Sequence, residues 1–323
     1  MQRLFDMRAL LCLVGLVLYA QPAAARADEK VTYLLPAPKE AIVFAPFVLA
    51  EQQGRYRRAK LDVTFVVVPG GFKVGEALAR GEGDLGGASG DTPILLRDAN
   101  VPVKGVALLG HHAFLTLVTR RDSFAASHGF DGKRIDVPSF KDTSYYAVQK
   151  LAWQSSADIK TQARAPDELI AALGKREIDG FVGTVDWGVK AERAGGQLDY
   201  RKVDEFYPAM AQAILASETT IAKRPQVLRR FVRATLKMLR QIVKNPEKFA
   251  TSYEKAVPES GYSHAEIVRI LTLLGSEVYG NPTSIGRFDE HTVRAAETEL
   301  LNRYLIDDCH ALDVYYTNSF VGR

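Results

Sequence analysis

The chain has 323 residues, 47% of them hydrophobic, and its 42 Lys and Arg against 38 Asp and Glu give a net charge of +4. That balance gives it no basic surplus with which to bind nucleic acid or an acidic membrane surface. Its two cysteines, Cys12 and Cys309, make no disulfide framework, so a chain this long must rest on ordinary hydrophobic cores.

The first 27 residues read as a secretory signal peptide. Arg3 and Arg8 precede an apolar run from Ala9 to Ala20, and Ala25-x-Ala27 offers a cleavage site. The run is short for a membrane span, although a retained anchor is the other reading. Cys12 lies inside the run and not at its end, so it is not an acylation site. Cleavage removes Arg3, Arg8 and Arg26 with Asp6 and leaves a net charge of +2 on residues 28–323. Only Cys309 survives, which excludes an intrachain disulfide.

"KVTYLLPA" then predicts a strand ended by Pro36 and Pro38, and "AIVFAPFVLAEQQGRY" a helix closed by Gly54. "LDVTFVVVPGG" is a second strand and "FKVGEALARGE" a helix. "DLGGAS", "VKGVALLG" and "FLTLVTRR" read as further strands. The alternation restarts with strand "KRIDVPSF", helix "SYYAVQKLAWQ", strand "IKTQARA", helix "PDELIAALGKRE" and strand "IDGFVGT". Such alternation with short Gly/Pro turns predicts an α/β chain with mostly parallel sheets flanked by helices.

After Arg224 the sequence turns helical. Val227, Leu228, Phe231, Val232, Leu236, Leu239 and Val243 recur at helical spacing, with a solvated basic face of Arg224, Arg229, Arg230, Arg233, Lys237, Arg240 and Lys244. "HAEIVRILTLLGSEVYG" and "EHTVRAAETELLNRYL" predict two more amphipathic helices.

One phrase occurs twice, 95 residues apart: "ALARGEGDL" at 77–85 and "ALGKREIDG" at 172–180. Each stands where a helix runs into a strand, so it marks corresponding elements of two βα lobes. No Walker-type loop, Gly-x-Ser-x-Gly elbow or His-Glu-x-x-His motif occurs. His111-His112 reads as structural, since adjacent residues in or beside a strand point to opposite faces, and no metal or cofactor is expected.

Candidate ligand contacts lie where strands end and helices begin, the edge at which open α/β sheets bind ligands. They are Phe44, Gly70, Gly71 and Phe72, then Ser89, Gly90, Asp91 and Thr92, then Phe140, Asp142, Thr143, Ser144 and Tyr145, and finally Asp186 and Trp187. Asp91 and Asp142 also fit as plain helix caps, and Phe44, Tyr145 and Trp187 as core.

The succession "APFVLAEQQGRYRRAKLDVTFVVVPGG", "VGEALARGEGDLGGASGDTPILLRDANVPVKGVALLG", "FDGKRIDVPSFKDTSYYAVQKLA" and "REIDGFVGTVDW" resembles the periplasmic substrate-binding proteins of ABC importers for nitrate, sulfonates, taurine and thiamine-pyrimidine precursors. The resemblance implies the type II periplasmic binding protein fold. Lobe one would span 28–117 plus 213–323 and lobe two 118–212, with a two-crossing hinge between them. It also implies a monomer in the periplasm that closes on a small organic ligand, sulfonate-like, aromatic or zwitterionic, and delivers it to an ABC permease in the inner membrane, without catalysis. The alternatives are a ligand-sensing subunit for a membrane sensor kinase and an enzyme like the thiamine-pyrimidine synthases, which carry a cysteine-rich motif absent here. At the second lobe's helix start, Lys141-Asp142 stands where the family has Gly-Ser. A carboxylate there repels simple anions unless Lys141 offsets it.

Overall fold

The computed structural model describes residues 28–125, 129–280 and 285–322; the expected signal peptide, 1–27, lies outside them. The strands are β1 (Glu29–Leu35), β2 (Leu61–Val67), β3 (Leu85–Ser89), β4 (Val103–Leu108), β5 (Leu115–Arg120), β6 (Ile135–Asp136), β7 (Gly180–Thr184), β8 (Leu198–Lys202) and β9 (Gln212–Ser217). The helices are α1 (Ala45–Gln52), α2 (Arg55–Arg58), α3 (Gly71–Ala79), α4 (Thr92–Asp98), α5 (Arg121–Ala125), α6 (Thr143–Ser155), α7 (Pro166–Gly174) and α8 (Val185–Ala191). They continue with α9 (Glu218–Lys223), α10 (Pro225–Lys244), α11 (Pro246–Ala256), α12 (His264–Leu273) and α13 (Glu290–Asn302).

Two sheets form, in strand orders β2-β1-β3-β9-β4 and β6-β7-β5-β8. Each is parallel apart from one reversed strand, β9 in the first and β5 in the second. These two strands directly follow the chain's passages between the sheets, through 109–114 and 203–211. Each reversal therefore marks a crossing. The expected boundary between 117 and 118 falls inside β5, where Leu115 and Leu117 already pair with Thr184 and Val182. An apolar strand carries no mark of which sheet it joins, and this one belongs wholly to the second.

The stretch 159–165 is expected as a strand, but it forms only two isolated bridges, Lys160 with Arg134 and Ala163 with Val137, on either side of β6. The side chain of Asp136 explains its course, because it accepts the Gln162 N–H at 2.9 Å and holds the Arg164 guanidinium at 2.7 Å.

α10 buries the expected apolar stripe, and Phe231 stacks on Tyr33 and Tyr56 with ring centroids 5.3 and 4.9 Å apart. Its basic residues do more than face solvent. Arg224 pairs with Asp84, Arg230 with Glu29, and Arg240 donates to the Ile285 carbonyl. They fasten the helix to the first sheet's lobe.

The repeated phrase is a repeated structure. In both copies the helix closes with the Glu N–H bonded back to the Ala carbonyl, Glu82 to Ala77 and Glu177 to Ala172. The residue before it takes a left-handed backbone, Gly81 at φ 79° and Arg176 at φ 63°, as this kind of helix ending requires. Asp84 and Asp179 then bond the backbone of the neighbouring strand. Each donates its N–H to a carbonyl, of Thr32 or Arg134, and accepts that residue's N–H on its carboxylate, all at 2.9 Å. The phrase thus docks a helix end onto β1 in one lobe and onto the start of β6 in the other.

Candidate ligand site between the lobes

Asp91 and Asp142 stand just before α4 and α6, yet neither side chain caps its own helix. Both turn toward the opposite lobe. Asp91, fully buried, accepts the Thr143 hydroxyl proton, with Oγ1 at 2.7 Å from Oδ1 and 3.0 Å from Oδ2. Asp142 directs Oδ2 to within 3.9 Å of the position a Cβ would take on Gly70, and the Gly71 N–H at the start of α3 acts on its carboxylate. Asp186, in the first turn of α8, is fully buried and accepts the Ile42 N–H at 3.2 Å.

Asp91 and Asp186 are equivalent positions, 95 residues apart like the repeat itself. Each follows the strand that ends the repeat, β3 in one lobe and β7 in the other. Their partners correspond as well: Ile42 opens the turn into α1 after β1, and Thr143 opens α6 after β6. A carboxylate from each lobe therefore holds the first turn of the other lobe's helix. Further cross-lobe contacts flank these two bonds. Lys150 on α6 pairs with Glu299 on α13 at 2.7 Å, Arg269 on α12 pairs with Glu192 at 2.6 Å, and the Tyr262 hydroxyl donates to the Asp186 carbonyl at 3.1 Å.

Burial pushes all three carboxyls up. For Asp91 the hydroxyls of Ser89 and Thr143 oppose the rise. For Asp186 the Thr184 hydroxyl and the Ile42 N–H do so. Asp142 is pushed up to about 6, by burial first and by the charge of Asp91 second, against the pull of the Gly71 N–H.

The structure sorts the remaining expected residues. Ser89, Gly90, Thr92 and Ser144 lie buried at the same strand and helix ends. A Cβ on Gly71 would come within 2.8 Å of Ala88 Cβ, so glycine lets α3 approach β3. Phe72 is half-buried with Lys141 Nζ over its ring at 5.7 Å, a contact that crosses the interface. Phe140, 48% exposed, meets Tyr145 edge-on with centroids 5.1 Å apart. Phe44 lies in the core of the first lobe, and Trp187 lies in that of the second, its ring 2.4 Å from where a Gly183 Cβ would stand.

Sequence reasoning missed Ile42 and Tyr207. The repeat offset, applied to Asp91, could have drawn attention to Asp186 and its partner Ile42. Nothing local marks Tyr207, which comes from the second crossing segment; its buried hydroxyl has no partner. The open concavity lined by Gln52, Gln53, Gly54, Arg57, Arg58 and Lys60 lies at the α1–α2 turn, and none of the three carboxylates lines it.

A family model described as NMT1/THI5 like matches residues 41–249. The chain belongs to the NMT1/THI5-like family. It is 23% identical over 225 residues to the riboflavin-binding protein RibY of Chloroflexus aurantiacus, a match covering 68% of this chain and 64% of that protein. The chain thus spans less than two thirds of that relative's length. Among solved structures it is similar to the ligand-binding component of an ABC-type import system from Staphylococcus aureus (TM-score 0.70, 16% identity, 90% of this chain and 97% of that one). It is similar also to the alkanesulfonate-binding protein SsuA of Xanthomonas axonopodis pv. citri (0.66, 18%, 88% and 96%). A third is the nitrate-binding protein NrtA of Synechocystis PCC 6803 (0.68, 11%, 91% and 87%). At these identities the likeness shows the fold: this family member has the two-lobed periplasmic binding protein fold. No helix among the described residues is long and apolar enough to cross a membrane.

Proposed function

We propose that this family member is an extracytoplasmic solute receptor, exported to the periplasm, which captures a small organic molecule between its lobes and delivers it to an ABC permease. The lobes are 28–108 with 212–322, and 115–202. The observation that carries this reading is the reciprocal pair of cross-lobe bonds, Asp91 with Thr143 and Asp186 with Ile42. Both carboxylates stand where a solute held at the sheet edges would touch the two lobes at once, and both bonds exist only while the lobes are together. A ligand that contacts both lobes binds this closed form better than an open one, and the permease would recognise the closed form. No bond is made or broken in such a cycle. The acidic lining favours an aromatic or zwitterionic solute over a simple sulfonate or nitrate.

A thermal-shift screen of residues 28–323 tests the proposal with nitrate, alkyl and aryl sulfonates, taurine, aromatic carboxylates, pyrimidines and polyamines. A solute at a hundred times its dissociation constant adds about 2.7 kcal/mol of stability. The expected result is a clear hit whose shift shrinks in Asp186→Asn. A hit unaffected by Asp186→Asn and by Asp91→Asn would place binding elsewhere and remove the interlobe site.

A further inference from the structure

Asp91 and Asp142 come together across the lobe interface, one from each lobe, with no countercharge between them. Thr143 gives its single hydroxyl proton to Asp91. The cations around the site are already engaged: Lys141 Nζ sits over the Phe72 ring, Lys150 pairs with Glu299, and Arg303, whose charge reaches Tyr207, also pairs with Glu299. A second observation points to a ligand. Tyr207 is 1% exposed and its buried hydroxyl is without a hydrogen-bond partner, although it lies near enough to Asp91 to feel its charge. Tyr146 feels both carboxylates and packs against the cores of both lobes. A buried and a half-buried carboxylate and an orphaned phenol are costly on their own and are satisfied together by a group that brings positive charge and N–H donors. The aromatic rings of Phe72 and Tyr146 beside them suit a cation as well.

We propose that the bound solute carries a cationic nitrogen, an amine or amidine, seated between Asp91 and Asp142 with the Tyr207 hydroxyl turned to it, and that Asp142 is the residue that turns anions away. This rests on the solute-binding reading above and names its ligand class. A sulfonate or carboxylate at the start of α3 would meet the Asp142 carboxylate already directed there, and like charges at such range repel strongly in a buried site.

Isothermal titration of residues 28–323 with benzamidine, benzylamine, neutral benzamide and benzenesulfonate tests it. Each probe is run against wild type, Asp142→Asn and Asp91→Asn, with circular dichroism confirming the fold of each variant. The expected result is that benzamidine or benzylamine binds wild type and benzamide does not. That affinity falls about tenfold to about a hundredfold in either Asn variant, the worth of one charge-assisted bond. Benzenesulfonate binding appears or strengthens only in Asp142→Asn. Binding of benzenesulfonate or benzamide to wild type without the cations overturns the cation inference and leaves the solute-binding reading standing. Silence of all four probes on all three proteins counts against both.

Discussion

The carboxyl of Asp142 ties the closing of the lobes to pH. Its rise from an ordinary 3.8 to about 6 is worth about 3 kcal/mol between the two protonation states. The causes are burial, the Asp91 carboxylate and, opposing them, the Gly71 N–H; the last two belong to the other lobe and leave when the lobes part. The share of the free energy that the other lobe supplies falls on closure, and the rest on the folding of the lobe that carries Asp142. The sign follows from linkage. A carboxyl raised in the closed form holds its proton more tightly there, so its support for closure is complete below about 3.8 and is lost as pH rises through about 6. Asp91, also raised, acts in the same direction. Small-angle scattering on ligand-free protein between pH 4.5 and 8 reads this directly. The closed-to-open ratio is expected to fall by up to about thirtyfold across the range, seen as a radius of gyration that rises between pH 4.5 and about 6 and levels off above it. Asp142→Asn, in which only Asp91 still titrates, should show a smaller rise. An unchanged radius in wild type, or the same rise in Asp142→Asn, refutes the reasoning.

Four further substitutions separate packing from binding. Trp187→Ala opens a cavity in the second lobe's core and should cost about 3–5 kcal/mol in urea unfolding, while a solute that still binds the folded variant keeps its affinity. Tyr207→Phe removes an unpartnered buried hydroxyl, so the melting temperature should hold or rise while solute affinity drops; a lower melting temperature would mean that the hydroxyl is bonded in the free protein. Asp84→Ala strips a carboxylate that serves both the Thr32 N–H and Arg224 and should cost about 1–3 kcal/mol, more than Asp179→Ala, whose carboxylate serves only the Arg134 N–H. Equal losses in denaturant would show that the two copies of the repeat are not loaded as the bonds suggest.

Much of the architecture was legible because it is local. Alternating strand and helix patterns placed β1, β3, β7, α6, α7 and α10, and the repeated phrase announced two lobes before any contact was known. The sequence could not say which way a side chain turns at a strand end. Trp187 and Phe44 look like walls of a pocket, but Trp187 folds back onto Gly183 and Phe44 faces the core. Asp91 and Asp142 look like helix caps and instead reach across to the other lobe, a choice made by packing between segments 52 residues apart. Tyr207 lies beyond such reasoning altogether, since its place depends on where the chain crosses between sheets.

The central claim is that a solute draws the lobes together. Spin labels on Cys residues introduced at the exposed Lys73 of α3 and Lys160 of the second lobe, with Cys309→Ser removing the exposed native thiol, give the distance between the lobes. Measured at pH 8 with and without the solute selected by the thermal screen, the distribution should shift from a broad, longer population to a single shorter one. A distribution unmoved by saturating solute would contradict the claim.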